Sequence, residues 1–182
     1  MTLVILDRDG VINEDSPDYI KSAEEFVFIP GSVAAIAQLR NAGFTVAVAT
    51  NQSGLGRGLF DLDDLEAMHE KLHDAVHAAH GAIAGIFYCP HTPDDGCDCR
   101  KPKPGLLDAI NAELGMPLQG AWLIGDSLRD LEAGVARGCK PLLVRTGKGA
   151  ATEKKLSAHA ALSTIPVFDT LADAANYLVA TQ

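Results

Sequence analysis

Leu3-Val4-Ile5-Leu6-Asp7-Arg8-Asp9-Gly10-Val11-Ile12-Asn13 is the stretch on which the reading of the fold turns. Four consecutive apolar residues, β-branched at their centre, predict a strand buried on both faces, as in a parallel sheet. The run stops abruptly at two carboxylates one residue apart. Residues two apart on an extended chain point the same way, so Asp7 and Asp9 can face one crevice. Gly10 lets the backbone turn away at once and lets a ligand approach it closely. Two like charges that near each other cost free energy unless a cation or a shared proton relieves them. Mg²⁺ suits hard oxygen ligands and would neutralise the pair. Taken alone, the stretch reads equally well as a strand end followed by a solvated acidic turn, since Asp-Gly is a common turn pair.

Outward from it, short apolar runs alternate with helical patterns. Strands are expected at Leu3–Leu6, Phe44–Ala49, Gly85–Tyr88, Ala121–Ile124, Pro141–Val144 and Pro166–Phe168. Helices are expected at Gly31–Asn41, Asp61–His80, Gly105–Leu114, Leu128–Ala136, Glu153–Ala160 and Leu171–Ala180. This alternation predicts an α/β fold of three layers, a doubly wound parallel sheet with helices on both faces, formed by residues 1–182 as one domain. Ligands in such sheets bind beyond the carboxyl ends of the strands. No insert between the motifs is long enough for a separate cap domain.

The 182 residues, 47% of them hydrophobic, suffice for a proper core. The sequence shows neither a membrane-length apolar run nor a signal-peptide pattern, so a soluble cytoplasmic protein is expected. A net charge of −9 argues against nucleic acid and anionic membrane as partners. It leaves room for a small anionic substrate, since a few clustered Arg and Lys set a local field.

Further stations lie at predicted strand ends. Thr50-Asn51-Gln52-Ser53-Gly54 offers hydroxyls, amides and a glycine that can bond phosphate oxygens, although an ordinary polar turn has the same composition. His69-Glu70-Lys71-Leu72-His73 matches the zinc-protease pattern H-E-x-x-H. Leu62, Leu65, Met68, Leu72, Val76 and Ala79 form the expected buried stripe of that helix, and the histidines read as its solvated flank. Cys89, His91, Cys97 and Cys99 fall within eleven residues, in a loop rich in Pro, Asp and Gly. Three thiols and an imidazole suit a closed, structural Zn²⁺ site, although the gaps are tighter than those of zinc fingers. Cys139 reads as simply packed. Arg100-Lys101-Pro102 follows directly, with Arg as a bidentate fork and Lys as a point charge for phosphate. Ala121–Ile124 then leads into Gly125-Asp126-Ser127-Leu128-Arg129-Asp130, which repeats the opening logic of a strand ending in a carboxylate. Asp130 can support a metal or complete a capping box with Ser127, and the capping role is preferred.

The ordered set Asp7-x-Asp9, Thr50, Lys101 and Gly125-Asp126-x-x-x-Asp130 resembles the haloacid dehalogenase superfamily of phosphatases. The Cys loop and the wording around Asp7, Thr50 and Arg100 resemble its branch acting on a heptose bisphosphate, with histidinol-phosphate phosphatases as near relatives. The similarity runs from about Leu3 to Gly149. It implies a Mg-dependent phosphoric monoester hydrolase that removes the 7-phosphate of D-glycero-D-manno-heptose 1,7-bisphosphate, on the route to lipopolysaccharide core precursors. Histidinol phosphate or another small sugar phosphate is the alternative. By position, the resemblance makes Asp7 the nucleophile and Asp9 the general acid and base. Thr50 and Lys101 would brace the phosphoryl group, and Mg²⁺ would lie on Asp7, the Asp9 carbonyl and Asp126. Zn²⁺ would be held by Cys89, His91, Cys97 and Cys99. Asp15, Tyr19, Asn51, Gln52, Ser53 and Arg100 would contact the sugar phosphate. The implied enzyme acts as a monomer. Ser127 stands where some relatives carry a substrate-contacting lysine. A zinc protease and a non-catalytic zinc module are the readings from other classes; the convergent aspartates oppose the module, and the lack of a downstream third ligand opposes the protease.

Overall fold

A computed structural model describes residues 1–182. Six strands form one parallel sheet: β1 (Leu3–Leu6), β2 (Thr45–Asn51), β3 (Gly85–Cys89), β4 (Trp122–Gly125), β5 (Lys140–Val144) and β6 (Val167–Phe168), in the order β3-β2-β1-β4-β5-β6. Between them run α1 (Ser32–Asn41), α2 (Ser53–Gly56), α3 (Leu62–Ala78), α4 (Gly105–Leu114), α5 (Leu128–Val135), α6 (Gly149–Glu153) and α7 (Leu171–Ala180). The α/β, doubly wound expectation holds. No helix is long and apolar enough to cross a membrane.

The apolar run of β1 splits by period two onto both faces of the sheet. Val4 and Leu6 join Val46, Val48 and Ile124 in the core beneath α1, α3 and α7. Leu3 and Ile5 join Ala47, Ala49 and Leu123 in the core beneath α4 and α5. Burial on both sides is why the strand reads as an unbroken hydrophobic run. β1 sits at the centre, with β2 on one side and β4 on the other, so the strand order reverses beside it. That reversal leaves a crevice at the carboxyl ends of β1, β2 and β4.

Two expectations fail locally. The helix placed at Glu153–Ala160 begins at Gly149 and stops at Glu153, followed by a short 3₁₀ turn at Leu156–Ala158. Tertiary bonds move it: Thr152 Oγ1 donates to the Asp126 carbonyl at 2.8 Å, and Arg145 forks onto both Glu153 oxygens at 2.8 and 2.9 Å. Leu62, assigned to the buried stripe of α3, is 46% exposed because it is the first residue of the helix, after the Asp61 cap.

Candidate active site

Asp7 follows directly on β1 and is held in line by its N–H, which donates to the Ile124 carbonyl of β4 at 3.0 Å. Its side chain meets Lys101, whose Nζ donates to Asp7 Oδ1 at 2.9 Å, to the Ala49 carbonyl of β2 at 2.7 Å, and lies 2.7 Å from Asp130 Oδ1. An ammonium has three hydrogens, and here three acceptors surround it, one after β1, one in β2 and one in the first turn of α5. Burial would lower the Lys101 pKa, but Asp130 and Asp7 outweigh that and raise it. Asp130 is also the N3 residue of α5 and caps it, its Oδ2 accepting from the Ser127 N–H and hydroxyl at 3.1 and 2.9 Å. The capping role is real, but it is half of what Asp130 does.

Asp126, at the end of β4, is 2% exposed and lies close to Asp7 and Asp130: the three offer carboxylate oxygens within 4.8 Å of one another. Burial first, then repulsion from Asp7 and Asp130, pushes Asp126 up to about 8. Burial and Asp130 likewise push Asp7 up to about 7, against the pull of Lys101. One ammonium does not neutralise three buried carboxylates, and oxygen ligands in this number and spacing suit a hard divalent cation. Gly10, at φ 86°, leaves room for that cluster, since a Cβ there would strike Asp126 Oδ2.

Asp9 has different surroundings. Its Oδ1 accepts from Arg8 Nε at 3.0 Å and Asn13 Nδ2 at 2.8 Å, and its Oδ2 from Gln52 Nε2 at 3.0 Å. Burial alone would raise its pKa, but the Arg8 cation and these bonds outweigh it and hold Asp9 below the ordinary range. Two aspartates two residues apart are thus driven in opposite directions by their surroundings.

These groups line one cleft of about 530 Å³, together with Asp15, Tyr19, Thr50, Asn51, Ser53 and Arg100. Gln52 lies just beneath: it is buried, and its amide bridges Asp9 to Thr50 Oγ1, the latter at 2.9 Å. Asn51 ties the loops together, its side chain exchanging bonds with the Lys101 carbonyl and N–H at 3.1 and 3.0 Å. Tyr19 reaches the rim from a left-handed backbone, φ 67°, uncommon for a non-glycine residue. Asp15 pairs with Lys148 at 3.3 Å across the mouth. At the far end of β3, Cys89 Sγ stands 3.6 Å from His91 Nδ1, 3.6 Å from Cys97 Sγ and 3.0 Å from Cys99 Sγ. Four ligand atoms this close form a candidate tetrahedral metal centre outside the cleft, one residue before Arg100.

Compared with known proteins, the chain is 54% identical over 178 residues, 98% of each chain, to the D-glycero-beta-D-manno-heptose-1,7-bisphosphate 7-phosphatase of Pseudomonas aeruginosa. The chain belongs to the heptose-bisphosphate phosphatase family of haloacid dehalogenase hydrolases. A relative of the same name from Escherichia coli is 37% identical over 171 residues, 89% of this chain and 88% of the other. A HAD-hydrolase-like family model matches residues 98–174, and a polynucleotide kinase 3 phosphatase model matches residues 2–127. Among solved structures, the D,D-heptose 1,7-bisphosphate phosphatase of Bordetella bronchiseptica, complexed with magnesium and phosphate, superposes over the full length of both chains. Its TM-score is 0.93 at 48% identity.

Sequence reasoning missed four features in or beneath the cleft of this heptose-bisphosphate phosphatase family member. Arg8, wholly buried, is the counter-ion of Asp9. Asp130 is a partner of Lys101. Arg129 joins Arg57 and Arg100 along the cleft. His69, read as solvated flank, is half-buried with Nε2 3.1 Å from Arg8 Nη1. His73, His77 and His80 of the same stretch are exposed, as expected. An i, i+4 pattern of histidines carries no sign of which one turns inward.

Proposed function

We propose that the chain removes the 7-phosphate of D-glycero-D-manno-heptose 1,7-bisphosphate, with Asp7 as nucleophile and Asp9 as general acid and base. The supporting observation is a second cationic pole in the cleft. Arg57, Arg100 and Arg129 line it, and none of the three side chains has an ion-pair partner. Nη1 of Arg100 is buried without any acceptor. Burial, then the charges of Arg129 and Arg57, lower the Arg100 pKa. In a chain of net charge −9, three guanidiniums gathered without a carboxylate call for an anion from outside. A bisphosphate supplies one anion to Asp7 and Lys101 and another to this pole. Histidinol phosphate needs acidic rim groups, but Glu14 and Asp18 lie outside the cleft and Asp15 is paired with Lys148.

In this reading, Asp7 attacks the phosphorus in line and becomes an aspartyl-phosphate. Asp9 gives a proton to the departing sugar oxygen and then takes one from the water that hydrolyses the intermediate. Its Oδ1 accepts from Arg8 and Asn13 and its Oδ2 from Gln52 alone, so the proton travels on Oδ2, the oxygen with fewer donors. Lys101 supplies charge beside Asp7, and the Thr50 hydroxyl lies in the cleft to bond a phosphoryl oxygen. Asp7, the Asp9 carbonyl and Asp126 would hold Mg²⁺, which supplies charge neutralisation at the transferring group. Asp15, Tyr19, Asn51 and Ser53 would meet the sugar, with Gln52 supporting Asp9 from below. The cleft is complete within one chain, which fits a monomeric enzyme. Four free thiols suit the reducing cytoplasm. Residues 1–182 are read as one phosphatase domain.

The test is the ratio of kcat/KM for the heptose bisphosphate to that for histidinol phosphate. A ratio well above one is expected. Arg100→Ala should reduce it by roughly tenfold or more, because removing a charge-assisted bond to phosphate costs about 1.5–3 kcal/mol. A preference for histidinol phosphate, or equal loss on both substrates, overturns the assignment of this pole.

The Cys89, His91, Cys97 and Cys99 set would hold Zn²⁺ with no open position, giving it a structural role. Cys97→Ser should lower zinc from about one ion per chain, lower the melting temperature and raise KM together, because Arg100 and Lys101 hang from the same loop. Zinc-free protein of unchanged stability and activity would rule the role out.

A further inference from the structure

The H-E-x-x-H helix carries one histidine that the phosphatase chemistry leaves unused. We propose that His69 is a positioning residue for the reaction, its Nε2 anchoring the Arg8 guanidinium that in turn fixes the carboxylate of Asp9. The inference rests on the reading of Asp9 as the proton-transfer group.

Arg8 is wholly buried and held on three sides. Nε and Nη2 lie 3.0 and 2.9 Å from Asp9 Oδ1. The Phe26 ring covers the guanidinium at 5.2 Å. Nη1 faces α3, 3.1 Å from His69 Nε2 and 3.8 Å from Met68 Sδ. A guanidinium only donates, so His69 Nε2 accepts and the ring proton resides on Nδ1. Burial, then the Arg8 charge, push His69 down to about 3, consistent with a neutral, accepting ring. The ring is itself well placed, since Leu65, Met68 and Leu72 anchor this face of α3 in the core and Tyr88 of β3 lies beside it, 6.1 Å between centroids.

A chain of contacts therefore runs from a helix more than sixty residues along the sequence to the proton-transfer carboxylate. Remove the Nε2 lone pair and a buried N–H of Arg8 is left with a thioether as its remaining acceptor, a weak one. The guanidinium then turns towards a better partner and loosens its grip on Asp9 Oδ1. Asn13 and Gln52 still hold Asp9, so the effect is a partial loss in the chemical step. Substrate affinity, set by other residues, is untouched.

Three variants test this on the intact enzyme with saturating Mg²⁺ and a sugar phosphate that the parent hydrolyses. His69→Leu and His69→Met remove the acceptor, and His69→Gln keeps one, its Oε1 within reach of Arg8. Leu and Met should each lower kcat by about tenfold with KM within about twofold, and Gln should return kcat to within about threefold of the parent. A parent-like kcat in the Leu or Met variant overturns the inference. So does a Gln variant as slow as Leu, or a loss confined to KM. If Leu does not fold, Met decides; if neither folds while Gln does, the role is structural and the inference fails. A parent chain that releases phosphate from no substrate would instead refute the phosphatase reading itself.

Discussion

Asp7→Asn is expected to fold as the parent does and to lose phosphate release by at least about a thousandfold, because an amide oxygen cannot form the aspartyl-phosphate. Stability should hold for a specific reason. Asp7 is pushed up to about 7 by burial and by Asp130, so its charge is unwelcome in the fold. Lys101 loses one of three acceptors but keeps Asp130 and the Ala49 carbonyl. The measurement is steady-state turnover beside a thermal melt. A variant within tenfold of parent activity would sink the covalent mechanism. A variant that is inactive because it has unfolded would show that Asp7 is needed by the fold.

Removing the divalent cation should abolish turnover, and it should leave a protein whose stability falls as pH rises. Asp7 and Asp126 have folded values raised to about 7 and about 8, above the roughly 3.9 of an unfolded aspartate. Their contribution is therefore fully present below about pH 4 and is lost as pH climbs through 7 to 8. Asp9 and Asp130 are shifted down, and their contribution is lost only in acid, outside that window. Mg²⁺ binds the ionised carboxylates and cancels the repulsion, so it should raise the melting temperature far more at pH 8.5 than at pH 5.5. The difference should be on the order of 5–10 °C, the shift that a few kcal/mol give in a chain of this size. Equal shifts at both pH values, or full turnover in chelator, would overturn the assignment of this cluster as the metal site.

The fold was legible because its decisive elements are local. Val4 and Ile5 sit in a run that makes sense only in a strand covered on both sides, and the strand–helix alternation dictates the layers. The carboxylates of the cleft were legible because the apolar runs before Asp7 and Asp126 mark strand ends. What escaped depends on partners distant in sequence. A charged residue such as Arg8 reads as exposed until Asp9, His69 and Phe26 are seen to surround it. Asp130 satisfies a capping box by sequence alone, and nothing local reveals that its other oxygen meets Lys101, 29 residues earlier. The helix at Gly149–Glu153 is set by Asp126 and Arg145 through tertiary bonds, against a sequence whose Lys- and Leu-bearing stretch lies further on.

Arg100 and Lys101 are chain neighbours with opposite attachments. Lys101 is locked to two carboxylates and a strand carbonyl, whereas the buried Nη1 of Arg100 has no acceptor inside the protein. Random exchange at position 101 strands two buried anions and is purged whatever the substrate. Exchange at position 100 breaks no ion pair inside the protein, so on the proposed function its effect falls on what the cleft holds. One residue of spacing thus separates a cation tied into the protein's own charge network from one left for a ligand.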